Sequence, residues 1–311
     1  MTINPTLSEW LNLIFRWVHV FAGIMWVGTT YYFTWLDARL TEEEKAVANT
    51  NRAPQQGSPA GVVAGETAQI WMVHSGGFYV VEKRKVPDLA SRTLHWFRWE
   101  AGTTWLSGFA LLVVVYYIGG GAMIDPDVQT SVTDCYQQLL GGRLNAIFDL
   151  SLHYYWFVIG LGCATLIFGW LVYDLLMISP LGKNEQAFAV IAYLMVVGIA
   201  YGLTRMMSGR AAYIHVGAMF GTIMAANVWM RILPAQKKMI AAINAGGKPD
   251  DALSAQAKLR SKQNTFMAVP VVFIMLSSHF PGVTYGEHYN WAILCVLILA
   301  GWLAAKFIRR A

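Results

Sequence analysis

The stretch RWVHVFAGIMWVG, residues 16–28, sets an arginine and a histidine three positions apart inside an otherwise apolar run. The run extends over residues 10–36, longer than the ~20 residues that cross a hydrocarbon core. Read as a helix, it places Arg16, His19, Gly23 and Trp26 on one stripe, at spacings of three and four. Ionisable side chains at such a depth are costly, and where they occur they point to function. The fold question and the function question therefore meet in this one segment.

The rest of the chain agrees with a membrane helix here. Of 311 residues, 56% are hydrophobic and only 13% charged, about half the charged share of an ordinary soluble domain. Mean hydropathy is +0.43. The N-terminal MTINPTLSEW carries no basic region and no small-residue cleavage site, so it does not read as a signal peptide. Cys135, Cys163 and Cys295 are far apart and form neither a CxxC pair nor a CxxCH haem-attachment motif.

Hydropathy predicts an all-α integral membrane bundle of seven spans, over residues 10–36, 96–119, 150–178, 187–204, 210–232, 264–280 and 289–308. Pro270 is expected to kink the sixth, a break that neighbouring helices tolerate in membranes. Loop charge orients the bundle. Segments 37–95 and 233–263 and the C-terminal tail are rich in Lys and Arg, whereas 120–149 carries four Asp against Arg143 alone. The alternation predicts a periplasmic N-terminus and a cytoplasmic C-terminus. The net charge of +5 thus follows topology and gives no reason to invoke nucleic acid.

The 37–95 segment is the one sizeable piece expected outside the bilayer. Residues 49–65 read as a Pro/Gly/Ser-rich linker, and QIWMVHSGGFYVVEKRK (69–85) as a β-hairpin turning at Ser75-Gly76-Gly77. The chain shows no internal repeat. It reads as a single membrane domain with a small cytoplasmic hairpin.

Four of the seven histidines fall in the outer half of the bundle, on four different spans: His19, His153, His215 and His279. His19 lies about 13 Å below the outer edge of its span at 1.5 Å per residue. Haem iron is commonly held by axial imidazoles, and bundle cores build such sites from facing helices. Gly23 is expected to leave room beside the His19 ring, and Arg16, Arg205 and Arg210 to offer partners for haem propionates. The plainer reading is that a membrane histidine donates an interhelical hydrogen bond, or, near a helix end as at His153 and His279, sits at the interface. Non-haem copper or iron also suits imidazole, but no carboxylate or thiolate accompanies these four. Gly217 and Gly221 form a GxxxG that close helix packing explains.

A second constellation opens the second span. LHWFRWEAGTTW, residues 94–105, sets His95, Arg98 and Glu100 among Trp96, Trp99 and Trp105. The tryptophans alone are an interfacial belt. Glu100, one turn into the span, has no such excuse. It predicts either a polar cavity that binds a ligand or carries protons, or a structural pair with Arg98. Asn227 and Met230 of the fifth span reach a similar depth.

HSGGFYVVEK (74–83), LHWFRWEAGTTWLSGFALL (94–112), HVGAMFGTIMAANVW (215–229) and NTFMAVPVVFIMLSSHFP (264–281) together resemble the membrane domain of bacterial cytochrome c-linked urate oxidases, also called urate hydroxylases. The likeness covers nearly the whole chain in the same order. It implies a multi-pass protein of the bacterial inner membrane that oxidises urate to 5-hydroxyisourate and passes electrons to cytochrome c. In full-length members the cytochrome domain follows a further C-terminal helix; this sequence ends at Ala311 with neither. The expected acceptor is accordingly a separate periplasmic cytochrome c.

These readings combine into an expectation: a haem b protein that draws electrons from urate or a related purine and delivers them toward the periplasm. A planar urate anion calls for a cation, stacking rings and a base, and His74, His95, Arg98 and Glu100 offer those types. They stand apart from the outer histidines by much of a ~30 Å core. Two haems, a substrate nearer the midplane, or entry from outside would each bridge that gap. Two alternatives remain open: a membrane cytochrome b subunit relaying electrons from a partner subunit docked on the cytoplasmic side, and a transporter without a redox centre. The transporter reading lacks the repeat symmetry that such proteins often carry.

Overall fold

In hydrocarbon only a helix or a closed barrel satisfies every backbone N–H and C=O, and the computed structural model of the chain is accordingly mostly helical. The structure describes residues 4–50, 68–84, 93–118, 122–127, 130, 134, 138 and 150–309, with the side chains of 50 and 150–153 excepted. The helices are α1 (Pro5–Thr50), α2 (Trp99–Leu112), α3 (Leu150–Ile178), α4 (Glu185–Met206), α5 (Gly209–Ala226), α6 (Leu233–Asn244), α7 (Asp251–Ser277) and α8 (Asn290–Ile308). Two π-helical turns extend them, Val113–Ile118 after α2 and Asn227–Ile232 joining α5 to α6. Between α1 and α2 lie strands β1 (Gln69–His74) and β2 (Gly77–Glu82).

Among the described residues, six helical stretches are long and apolar enough to cross a membrane: Pro5–Asn49, Trp99–Ile118, Tyr154–Ile178, Glu185–Met206, Gly209–Asn244 and Asn290–Ile308. These make the chain compatible with a multi-pass membrane protein. The seventh expected span, 264–280, is the apolar end of α7, whose other half carries Lys258, Arg260 and Lys262. Several helices also outrun their apolar segments. Residues 37–50 continue α1 as helix where a loop is expected, giving 46 residues, about 69 Å at 1.5 Å each. LDARLTEEEKAVANT is polar yet rich in good helix formers, so hydropathy ends there and helicity does not. The same holds for 233–244 and for 251–263.

α5 is the hub, packing on α2, α3, α4 and α7, with Ala211, Ala212, Tyr213, Val216 and Met219 buried. Small residues allow these approaches. A Cβ at Gly217 would come within 2.8 Å of Ile274, and one at Gly169 within 2.6 Å of Met219. Pro270 does lie inside α7, and Gly301 lets α8 close on its ring, since a Cβ there would stand 2.9 Å away. α1 lies at the edge, mainly against α2. It turns Trp10, Trp17, Phe21 and Ile24 outward while burying Ala22 and Trp26, an inside-out pattern that lipid permits and water does not.

The expected hairpin is present and antiparallel, pairing Gln69 with Glu82, Trp71 with Val80 and His74 with Gly77. Ser75 and Gly76 form its two-residue turn with φ of 50° and 76°, the positive values that suit the right-handed twist of the strands.

Candidate functional site

A cavity of about 750 Å³ opens between α1, α2, α5 and α7, and Arg16, His19, Arg210 and His279 all line it. The arrangement follows from the helices. α1 brings its Arg16–His19–Gly23 stripe, α5 contributes its first turn with Arg210, and His279 follows the last turn of α7. Ser208 caps α5, accepting from the Ala211 N–H at 3.1 Å while its own hydroxyl donates to the Ala122 carbonyl at 2.7 Å. Most of the wall is apolar, with Trp105, Phe109, Ile214 and Val271 among its residues. Trp105 and Phe109 stack at 5.5 Å, and the Trp105 N–H donates to the Thr222 hydroxyl at 3.0 Å. The result is a flat, rigid side to the pocket.

His19 is held in a defined orientation. Its Nδ1 lies 2.8 Å from the Thr104 carbonyl, which can only accept, so Nδ1 carries the proton. A neutral ring then keeps its lone pair on Nε2, the arrangement that metal-binding histidines commonly show. Gly108 makes the space for it: a Cβ there would sit 2.7 Å from His19 Cε1 and 3.0 Å from Nδ1. Gly23, expected to provide that clearance, instead faces Thr104 at 3.9 Å. The glycine that matters is across the interface, on a different helix.

The two arginines sit at the same end of the cavity as His279. Arg16 Nε and Nη2 both donate to the Asn12 side chain, at 3.3 and 3.0 Å. Arg210 Nε is buried and finds no hydrogen-bond partner among the described residues. An orphaned guanidinium N–H in an apolar pocket is costly unless a ligand oxygen completes it. Of the expected GxxxG pair, Gly217 serves close packing, whereas Gly221 meets nothing within 4 Å and opens on the cavity.

His215 belongs elsewhere. It is fully buried, its Nδ1 bonded to the Ala211 carbonyl at 2.7 Å and its Nε2 facing the Tyr117 hydroxyl at 3.1 Å. With Nδ1 donating, Nε2 accepts the phenol proton, and both ring nitrogens are satisfied. Gly162 of α3 makes room for it, since a Cβ there would lie 2.6 Å from Nε2. Tyr116, which lines the cavity, meets the His215 ring edge-on at 6.0 Å. His153 lies on α3, but its side chain is outside the described residues. Arg205 is placed over the Tyr201 ring, 5.1 Å from its centre, and does not line this cavity.

An apolar pocket with two imidazoles, two arginines and a free His19 Nε2 suits a macrocycle bearing two carboxylates. Among the described residues no three His, Cys, Asp or Glu gather as a metal cluster, so a porphyrin, which brings four ligand atoms itself, fits better than a bare ion.

The second constellation lies at the start of α2, ahead of the residues that line the cavity. Glu100 Oε2 is buried with no hydrogen-bond partner among the described residues, so the expected Arg98–Glu100 pair does not form. Arg98 instead lies 5.7 Å from the Trp99 ring centre and 6.0 Å from that of Trp229, within cation–π range. His95 is exposed and meets Phe97 edge-on at 4.5 Å. His74 is exposed at the hairpin turn, on a different element from the other three.

Sequence reasoning missed a buried ion network at the same end. Arg231 and Arg260 both pair with Asp174. Arg260, only 2% exposed, also donates to Asn227 at 3.1 Å and lies over Tyr173. Asn227 in turn donates to Asn264 at 2.9 Å. The signal was available: Asp174 is the one acid in the LVYDLL run of α3, and a π-helical turn, often found at functional sites, carries Asn227 and Arg231.

No curated protein and no solved structure matches the chain. The family described as Urate oxidase N-terminal matches residues 5–142 and 145–311, which takes in the cavity, the α2 constellation and the hairpin alike. The chain belongs to the urate oxidase N-terminal family.

Proposed function

We propose that the protein is a membrane urate oxidase that holds haem b in the 750 Å³ cavity and delivers electrons to a periplasmic cytochrome c. The observation that carries the reading is the convergence of Arg16, His19, Arg210 and His279 on one apolar pocket. His19 and His279 would hold the iron, and Arg16 and Arg210 would pair with the propionates. Such a cofactor supplies a one-electron path between substrate and acceptor.

The chemistry asked of the protein is modest. Urate and water give 5-hydroxyisourate, two protons and two electrons. Glu100, with its unpartnered Oε2, takes a proton released in that step. Arg98 offsets the charge of a urate anion, and Trp99 and Trp229 beside it offer stacking faces. His95 and His74, both exposed, serve at the entrance. Lys83 and Lys258 both pair with Asp37, at the far end of the α1 apolar run from Arg16, whereas the described residues 122–127 after α2 carry no Lys or Arg. That asymmetry supports a bacterial inner-membrane topology with the cavity on the periplasmic side.

An absorption spectrum of the purified protein, followed by anaerobic urate, tests the proposal. We expect a Soret band and its reduction by urate. A chain with no Soret band ends the haem reading. Haem that stays oxidised with urate present supports the relay subunit instead, in which a partner dehydrogenase supplies the electrons.

A further inference from the structure

The β-hairpin exposes one face whose four central side chains are apolar, with the polar Gln69–Glu82 pair at its open end. Pairing of Trp71 with Val80 and of Val73 with Phe78 puts four side chains on the same side, since alternate residues share a face. They are 69%, 49%, 69% and 81% exposed, respectively. The opposite face carries Ile70, Met72 and Val81, all partly buried, with Tyr79 and His74 exposed toward the turn, and the Tyr32 hydroxyl of α1 reaches the Met72 sulfur at 3.4 Å. One face thus meets α1, while Trp71, Val73, Phe78 and Val80 on the other stay exposed among the described residues. A two-stranded hairpin is marginal in water even with one face covered, and an exposed Trp–Phe–Val–Val cluster adds to its cost.

Position says what covers the free face. Two tethers fix the hairpin where the apolar part of α1 ends. Tyr32 holds it from inside the 10–36 run, and Lys83, just past β2, pairs with Asp37 at 2.5 Å. Asp37 also binds Lys258 of α7 at 2.8 Å, so the level is set against two helices. At that level α1 and the start of α2 expose Tyr32, Phe33, Trp35, Phe97 and Trp99, the aromatic belt of a membrane–water boundary. The apolar hairpin face continues this belt.

We propose that the hairpin is a lipid-interface anchor: Trp71, Val73, Phe78 and Val80 insert among headgroups and upper acyl chains of the bilayer that α1 spans. Aromatic side chains with apolar neighbours favour that zone. The anchor orients the first extramembrane segment along the membrane, beside the opening of α2 with His95, Arg98 and Glu100.

The test uses the full chain in single-copy nanodiscs of phosphatidylethanolamine and phosphatidylglycerol, with Cys135, Cys163 and Cys295 replaced. Nitroxide labels go on Phe78→Cys and Val73→Cys, with Lys248→Cys, exposed in the turn between α6 and α7, as the aqueous reference. Power saturation compares dissolved oxygen with a water-soluble nickel chelate. We expect the oxygen-to-nickel accessibility ratio at 73 and 78 to exceed that at 248 several-fold. A ratio at both positions equal to that at 248 overturns the proposal in favour of water. Low accessibility to both agents overturns it in favour of a protein cover. Two labelled positions guard against one substitution disturbing the hairpin, and an unchanged thermal unfolding midpoint in detergent shows that the bundle is intact.

Discussion

His19 Nδ1 donates to the Thr104 carbonyl at 2.8 Å, and Thr104 stands one helical turn from Glu100, whose own carbonyl accepts the Thr104 hydroxyl at 2.6 Å. One turn is about 5–6 Å of rise. The histidine stripe of α1 and the carboxylate of α2 are thus neighbours along a single seam. Counting depth separately from each end of the bundle sets them much of the core apart; the helix–helix contact removes most of that distance. In the proposed reading, a substrate near Glu100 and a cofactor near His19 would be separated by about one turn of α2.

The first prediction separates the histidines. His19→Ala and His279→Ala each abolish or shift the Soret band, because each removes a group that lines the cavity. His215→Ala keeps the spectrum and lowers stability by about 1–3 kcal/mol, the cost of a buried hydroxyl left without its acceptor, here that of Tyr117. Spectra of both His19 and His279 variants identical to wild type would remove the site.

A second prediction concerns a residue with no polar atom. Gly108→Ala places a Cβ 2.7 Å from His19 Cε1, on a ring that cannot yield without giving up its bond to Thr104. Loss of an orienting partner of this kind weakens metal binding about 10–100-fold. Haem retention during dialysis against apomyoglobin reads it, and Gly23→Ala, which meets only Thr104 at 3.9 Å, is the control expected to stay near wild type.

How much of this was legible beforehand differs by the range of the interaction. Helices and hairpin follow from local periodicity, and the stripe of Arg16 and His19 from spacing along one helix. Which histidines share a cavity does not, because that depends on the rotation of each helix about its axis. His215 shows the point: Gly162 of α3 draws it toward Tyr117 and away from the pocket. The α2 glycine that admits His19, and the Asp174–Arg260 pair between α3 and α7, are likewise facts of tertiary approach. Hydropathy also ended helices too early, since it registers lipid and not helix propensity.

Glu100→Gln tests the proposed base. The amide keeps the shape and cannot take a proton, so kcat for urate falls by about 10²–10⁴ while KM and haem content change little. A structural role alone predicts wild-type turnover, because Oε2 makes no hydrogen bond among the described residues to lose.

The buried network predicts a different phenotype. Asp174→Ala leaves Arg260, 2% exposed, with an uncompensated charge, a change that costs about 3–5 kcal/mol when one partner of a buried pair is removed. Thermal unfolding in detergent should drop steeply, with haem lost only as the protein unfolds. Spectral change at temperatures where the variant remains folded would instead tie the network to the cofactor.

Asp37 gives the hairpin tether a pH signature. Burial pushes its carboxyl pKa up, but hydrogen bonds from Lys258 and Lys83 outweigh that and hold it below the ordinary 3.8. A depressed pKa stabilises the folded form fully above the unfolded value and loses that contribution as pH falls through the folded one. The hairpin therefore stays seated at neutral pH and releases only in acid, below the ordinary carboxylate range. With a nitroxide at Phe78, lipid accessibility should be flat from pH 7 to 5 and fall below about pH 4. Asp37→Asn lacks the titrating group, so its profile should show no acid step. A wild-type acid step retained in that variant would assign the release to another group.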